Sequence, residues 1–263
     1  ALLFSIVLLA ISVSAAHTNS AEISPEWSVA GETIDYNVSI CNVPDGDDPI
    51  DEVRLYQASG YDITSAHDKA DWFESPFNPV KKYYQYTAED TNAYITSGNC
   101  ELFSFTAETP AEETCNIKWK FETRDIENFW KFPEDDTNVD DTNPIIEKTV
   151  GNPQYVDGDD LYITTGTPIT FSAEDPDPEG VCTASGLDYC EYRYKINDGP
   201  FTEWTDMGEP VGGEIHYELK FKEESIHTLE YRCFDVAGNT TGILSEVDIV
   251  EDKPPITTKT ISE

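Results

Sequence analysis

At 263 residues the chain is longer than an ordinary single domain, so two domains, each able to bury a core, are the expectation. Aromatic residues make up 12% of it, large apolar bodies that suit strands and exclude a disordered chain. With 52 acidic against 16 basic residues the formal charge is −36; this excludes nucleic acid as a partner, because a polyanion is repelled within the Debye length, and leaves salt adaptation, divalent-cation binding or solubility by self-repulsion.

The first 16 residues, Ala1 to Ala16, are apolar apart from small serines and run directly into polar His17-Thr-Asn-Ser. The run is shorter than the roughly 20 residues a membrane span needs. Val13 and Ala15, or Ser14 and Ala16, fit the small-residue cleavage rule, so residues 1–16 read as a signal-peptide h-region. The basic n-region and the initiator Met are missing, which points to a truncated or processed start. A retained pilin-like or anchoring helix is the alternative, and only such an uncleaved segment would touch a membrane. In an exported chain the cysteines at 41, 100, 115, 182, 190 and 233 are expected to form disulfides. Three fall in each half, so either one per half stays free or a bridge crosses between halves. Zinc is not expected, since no Cys-x-x-Cys pair occurs and histidines are few.

Beyond Ala21 the chain reads as short strands. Gly31 to Cys41 alternates, with Ile34, Tyr36, Val38 and Ile40 on one face, and ends in the turn cluster Pro44 to Pro49. Cys115 to Thr123 groups Ile117, Trp119 and Phe121 in the same way. In the second half, Pro168 to Asp175 reads as a strand. Cys190 to Ile196 follows, closed by Asn197-Asp198-Gly199, where Asp-Gly is expected to supply positive φ. His227 to Asp235 comes next, turned by Ala237-Gly238-Asn239 into Ser245 to Val250. No helical period is sustained, and strands of this length and spacing indicate antiparallel sandwiches. Pro144-Ile145-x-x-Lys148-Thr149 is echoed by Pro255-Ile256-x-x-Lys259-Thr260, at an offset on the order of the ~100 residues of one sandwich module. The expected modules are therefore 22–143 and 144–252, with 253–263 opening a third repeat cut from a longer array.

Tyr192 to Gly199, Trp204, His227 to Tyr231 and Asp235-Val-Ala-Gly-Asn239 together resemble the Ig-like repeats of archaeal and bacterial secreted cell-surface proteins. Lys253 to Thr260 looks like the leader segment of such repeats. The resemblance runs from about residue 144 to the end, and the first half is only loosely similar, departing in its aromatic stretch from Trp72 to Tyr86. It implies an all-β protein of two tandem Ig-like antiparallel β-sandwiches, displayed extracellularly, with no catalytic residue. The expected function is a non-catalytic structural or adhesive module of a repeat-containing surface protein, with other copies or other surface proteins as partners. Alternatives are a calcium- or glycan-binding module, a pilin-like filament subunit, or an accessory region of a secreted enzyme.

No catalytic scaffold is visible: there is no Gly-x-Ser-x-Gly elbow, no His-Glu-x-x-His and no phosphate-cradling Gly-Lys loop. His67, His216 and His227 stand beside no nucleophile, and His227, opening a strand, reads as structural. No cofactor is required. Calcium is the best-supported small partner: Asp157, Asp159, Asp160, Asp175 and Asp177, with Glu179, flank the first strand of the second module, and hard oxygen ligands on loops suit Ca²⁺. The spacing lacks the later ligands of an EF-hand, so a solvated loop competes. Asp235 is explained by its turn, with a cation-ligand role as the alternative. The acidic run Glu134 to Asp141 invites analogy with cation-stiffened cadherin-like junctions; without a cation, repulsion would leave it extended. Trp72 and Tyr84 are candidates for stacking against sugar rings. Asn37-Val-Ser39 and Asn239-Thr-Thr241 are glycosylation sequons, with Asn239 expected to be accessible on its turn. Strand parity favours Cys41–Cys100 and Cys190–Cys233, with Cys182 close enough to Cys190 to compete.

Overall fold

The computed structural model describes residues 18–44, 48–178, 180 and 182–252. The apolar segment 1–16, Glu179 and the repeat opening at 253–263 lie outside them. The chain divides into two compact units: Gly31–Asn138 with the strand preceding Trp27, and the chain from Val139 onward with Trp27–Ala30.

In the first unit, β1 (Asn19–Ser24), β3 (Thr33–Asn42), β8 (Cys100–Glu108) and β5 (Asp62–Ala66) form one sheet in that order, while β2 (Trp27–Val29) belongs to the second unit. The other sheet runs β11 (Glu134–Asp140, of which Val139 and Asp140 already belong to the second unit), β9 (Thr114–Asp125), β4 (Ile50–Tyr56), β7 (Tyr83–Ala88), β6 (Trp72–Asn78), with β10 (Trp130–Lys131) against β9. Period-two alternation buries Tyr36, Val38 and Ile40 of β3, Phe103 and Phe105 of β8, and Ile117, Trp119 and Phe121 of β9 between the layers. The Trp119 indole packs at a tilt on Tyr61 and Phe105, with ring centroids 4.8 and 5.1 Å apart. Its Nε1 donates to Thr137 Oγ1 at 2.9 Å, and that hydroxyl also bonds the Tyr61 hydroxyl at 2.9 Å. One threonine thus satisfies the polar tips of both Trp119 and Tyr61.

The second unit is the more regular. β12 (Ile145–Val150), β15 (Ile169–Glu174) and β18 (Glu214–Leu219) make one sheet, with β15 in the middle. The other runs β13 (Gln154–Asp157), β14 (Asp160–Ile163), β20 (Leu244–Val250), β19 (Ser225–Asp235), β16 (Leu187–Ile196), β17 (Thr205–Asp206). Its pairings are antiparallel except that β14 lies parallel to β20. Ile169, Phe171 and Ile215 of the first layer pack on Leu187, Tyr192, Leu229 and Tyr231 of the second in one apolar core. At the end of β16, positive φ falls on Asn197 (50°) rather than on the Asp-Gly pair. Gly199 is needed there for space, because a Cβ would stand 2.9 Å from the Ile196 carbonyl oxygen. His227 is buried and stacked on Phe221 at 3.9 Å, a structural role.

Both units carry the same device on an outer sheet face. In the first, Glu52 faces Arg124 and Arg54 faces Glu122 across β4 and β9, with Trp130 4.0 Å from the Arg54 guanidinium and 5.8 Å from that of Arg124. In the second, Glu191 faces Arg232 and Arg193 faces Glu230 across β16 and β19, with Trp204 4.4 Å from each guanidinium. Glu-x-Arg on each of two paired strands makes the crossed ion pairs, and the ring is supplied from a neighbouring segment. Cys41 lies opposite Cys100 across β3 and β8, and Cys190 opposite Cys233 across β16 and β19; both pairs are bridged, with Cα atoms 4.0 Å apart. Cys115 and Cys182 are also disulfide-bonded, so no cysteine is free. Among the described residues no helix is long and apolar enough to cross a membrane.

Candidate metal centre

Three aspartates meet at one end of the second unit, each placed by the end of a strand. Asp140 is the last residue of β11, Asp175 follows β15, and Asp235 closes β19. Each offers a carboxylate oxygen, and these oxygens lie within 4.8 Å of one another. Asp140 and Asp235 are buried, at 1% and 2% exposure, and Asp175 is half-buried.

Local turns hold each carboxylate. Asp235 Oδ1 accepts from the Gly238 and Asn239 amides at 2.7 and 2.8 Å, the self-bonded turn that an Asp at this position favours. Asn239 Nδ2 donates to Asp235 Oδ2 at 2.9 Å and to the Asp140 carbonyl at 3.1 Å. Asp140 takes the Thr142 amide on Oδ1 at 2.9 Å and the Ser185 amide on Oδ2 at 2.7 Å. Asp175 Oδ2 takes the Gly186 amide at 2.7 Å. Asp175 Oδ1 is buried and accepts no hydrogen bond.

The electrostatics follow from this packing. Burial pushes the Asp175 carboxyl up to about 6; the Gly186 amide opposes that rise, and the neighbouring Asp235 and Asp140 charges reinforce it. Asp235 is likewise raised by burial, against the Asn239 and Gly238 hydrogen bonds and with Asp140 adding to the rise. Among the described residues, the donors to the three carboxylates are neutral amides and a hydroxyl. A hard cation would relieve both the repulsion and the orphaned oxygen, and oxygen-only donors suit Ca²⁺ or Mg²⁺ rather than a soft metal.

Of the five acidic residues expected to hold calcium, only Asp175 joins this cluster. Asp157 and Asp160 face each other at the exposed tip of the β13–β14 hairpin with Asp159 between them, so their charges are solvated. Asp177 is exposed and accepts the Ala184 amide at 3.0 Å. The acidic run from Glu134 is not an extended junction but strand β11, where Asp135 accepts the Ile23 amide at 2.7 Å and Asp136 pairs with Lys118 at 2.7 Å.

Two other expectations are corrected. Trp72 is 5% exposed and sits edge-on to Phe103 at 5.2 Å, so it presents no face to a sugar; Tyr84 is half-buried and packs on Phe77. Asn239 is 8% exposed, and the nitrogen that would carry a glycan is committed to two hydrogen bonds. Asn37 is half-buried, its Oδ1 accepting from the Ser104 hydroxyl at 2.6 Å.

These sheets and cores define an all-β protein of Ig-like sandwiches. No family model matches the sequence, nor does any curated protein. Among solved structures, the CbhA fibronectin(III)-like modules of Clostridium thermocellum align with 91% of this chain and 100% of theirs, at 15% identity and a TM-score of 0.42. An immunoglobulin-like protein of Nocardia farcinica aligns with 46% of this chain and 96% of its own, at 10% identity and 0.37. The C-terminal domain of the Streptococcus pyogenes antigen I/II-family protein AspA aligns with 87% and 98%, at 11% and 0.34.

Proposed function

We propose that the chain is a non-catalytic extracellular module of a repeat-containing cell-surface protein, and that its second unit binds one calcium ion through Asp140, Asp175 and Asp235. The reading rests on the orphaned Asp175 Oδ1, a buried oxygen in a cluster of three carboxylates that no cationic side chain among the described residues hydrogen-bonds. Oxygens within 4.8 Å of one another can all reach one ion at the roughly 2.3–2.6 Å of Ca²⁺ coordination. The irregular set, already sharing its lone pairs with amides, suits a cation that tolerates varied geometry and completes its shell with water. Mg²⁺ demands a tighter octahedron. The ion would fasten three strand ends, a stiffening role and not a catalytic one. Export is supported by cysteines that are all bonded, which fits an oxidising compartment. The partners under this reading are neighbouring copies or other surface proteins.

Calorimetry on the whole chain at neutral pH tests the cation. One Ca²⁺ per chain is expected, with a Kd of roughly 10⁻⁴–10⁻³ M as in extracellular modules, and weaker binding of Mg²⁺. Absence of heat together with an unchanged melting temperature, or undiminished binding by Asp175→Asn, would overturn the reading.

A further inference from the structure

We propose that Lys148 and Asp248 condense to an intramolecular amide, joining strand β12 of the second unit to strand β20. Lys148 stands on β12 of the three-stranded sheet and Asp248 on β20 of the six-stranded one, so the pair spans the sandwich. Both side chains are sealed from solvent, at 2% and 0% exposure. Lys148 Nζ is 3.0 Å from each Asp248 carboxylate oxygen and 2.7 Å from Glu246 Oε2. Equal distances make this a two-oxygen ion pair with the nitrogen held against the carboxyl group, so a small rotation of the carboxyl about its Cβ–Cγ bond would bring Cγ into line for attack.

The reaction runs through the uncharged reactants. A buried ion pair bears a desolvation cost that its attraction barely repays, and moving one proton from Lys148 to Asp248 leaves an amine and a carboxylic acid. Burial holds the Asp248 carboxyl above its ordinary range even though Lys148 opposes the rise. Burial also raises Glu246, but its hydrogen bonds to Lys148 and Tyr231 outweigh this and hold it below its ordinary range, as an acceptor. The Tyr231 hydroxyl donates to Glu246 Oε1 at 2.8 Å and fixes its orientation.

The chemistry balances within the chain. The Lys148 nitrogen lone pair attacks Asp248 Cγ and a C–N bond forms. Glu246 Oε2 takes a proton from that nitrogen and returns it to the departing Asp248 hydroxyl. The C–O bond breaks and one water leaves. No oxidant, nucleotide or cofactor is consumed. The Glu246 side chain is 46% exposed, which gives the water a way out of an otherwise dry site. The product replaces two buried charges with one neutral amide. Lys148 is also the lysine of the echoed Pro-Ile-x-x-Lys-Thr segment, which gives that segment a chemical use.

Intact mass spectrometry of the reduced full chain decides the matter, with a peptide map beside it. The wild type is expected to be lighter than its sequence by one water and to yield a branched peptide joining the Lys148 and Asp248 segments. Lys148→Arg restores the full mass, and Glu246→Gln accumulates unlinked chain. Full mass in the wild type after prolonged incubation at neutral pH overturns the proposal, as does loss of water without the branched peptide. Both readouts are taken on the wild type, so they stand even where a variant fails to fold.

Discussion

Asp175→Asn removes one of three like charges while keeping the side chain's shape, and its effect on stability should change sign with calcium. In chelator the folded-state carboxyl titrates near 6 instead of 3.8. Below 3.8 both folded and unfolded chains carry the proton; between the two values only the folded chain does, so stability falls as pH rises through that window. A shift of about two units is worth ~3 kcal/mol taken whole, and solvent screening of a half-exposed group reduces that to ~1–2 kcal/mol. The neutral asparagine escapes the penalty. At pH near 7.5 in chelator the variant should therefore be the more stable protein by ~1–2 kcal/mol, a few degrees in melting midpoint, and the difference should vanish as the solution is acidified toward pH 4. With calcium at about 100 times Kd, the wild type should gain ~2.7 kcal/mol and the variant most of nothing. Thermal melts followed by tryptophan fluorescence, in chelator and in calcium across that pH range, give all four arms. A variant less stable than the wild type in chelator near pH 7.5, or equal calcium stabilisation of both, refutes the reasoning.

Thr137→Val should strand the Trp119 Nε1 and the Tyr61 hydroxyl in the first unit's core, at about 1–3 kcal/mol for each orphaned group, read as a lower urea midpoint. Asn239→Ala should cost about 1–3 kcal/mol through its bonds to Asp140 and Asp235, and peptide mapping of the exported protein should find Asn239 without glycan.

What could be read from the sequence was whatever depends on the two-residue period of a strand. Tyr36, Val38 and Ile40 declare a face because every second residue is apolar, and the same parity sets Cys190 opposite Cys233. Trp72 escaped that logic because β6 shifts register between Ser75 and Asn78, around Pro76, so alternation does not mark its inward side. The aspartate cluster was hidden for a different reason. Asp235 bonds its own turn, Asp140 closes a run of charges and Asp175 sits among prolines, so each has a sufficient local explanation. Only the meeting of three strand ends makes them a group. Asn239 shows the reverse error: a turn residue is expected in water, yet its amide is the donor that the Asp140 carbonyl and the Asp235 carboxylate require.

The two mapped cystines, Cys41–Cys100 and Cys190–Cys233, each join neighbouring strands of a single sheet, not one layer to the other. They behave as shear pins. A strand that slid by one residue would turn its whole buried face outward, and each pin forbids that slide at the point where it sits. Reduction would leave the two layers still pressed together by their apolar faces, while freeing β3 to slip along β8 and β16 along β19. Under a pull directed along the strands, resistance to sliding matters most, and these covalent links lie across that direction.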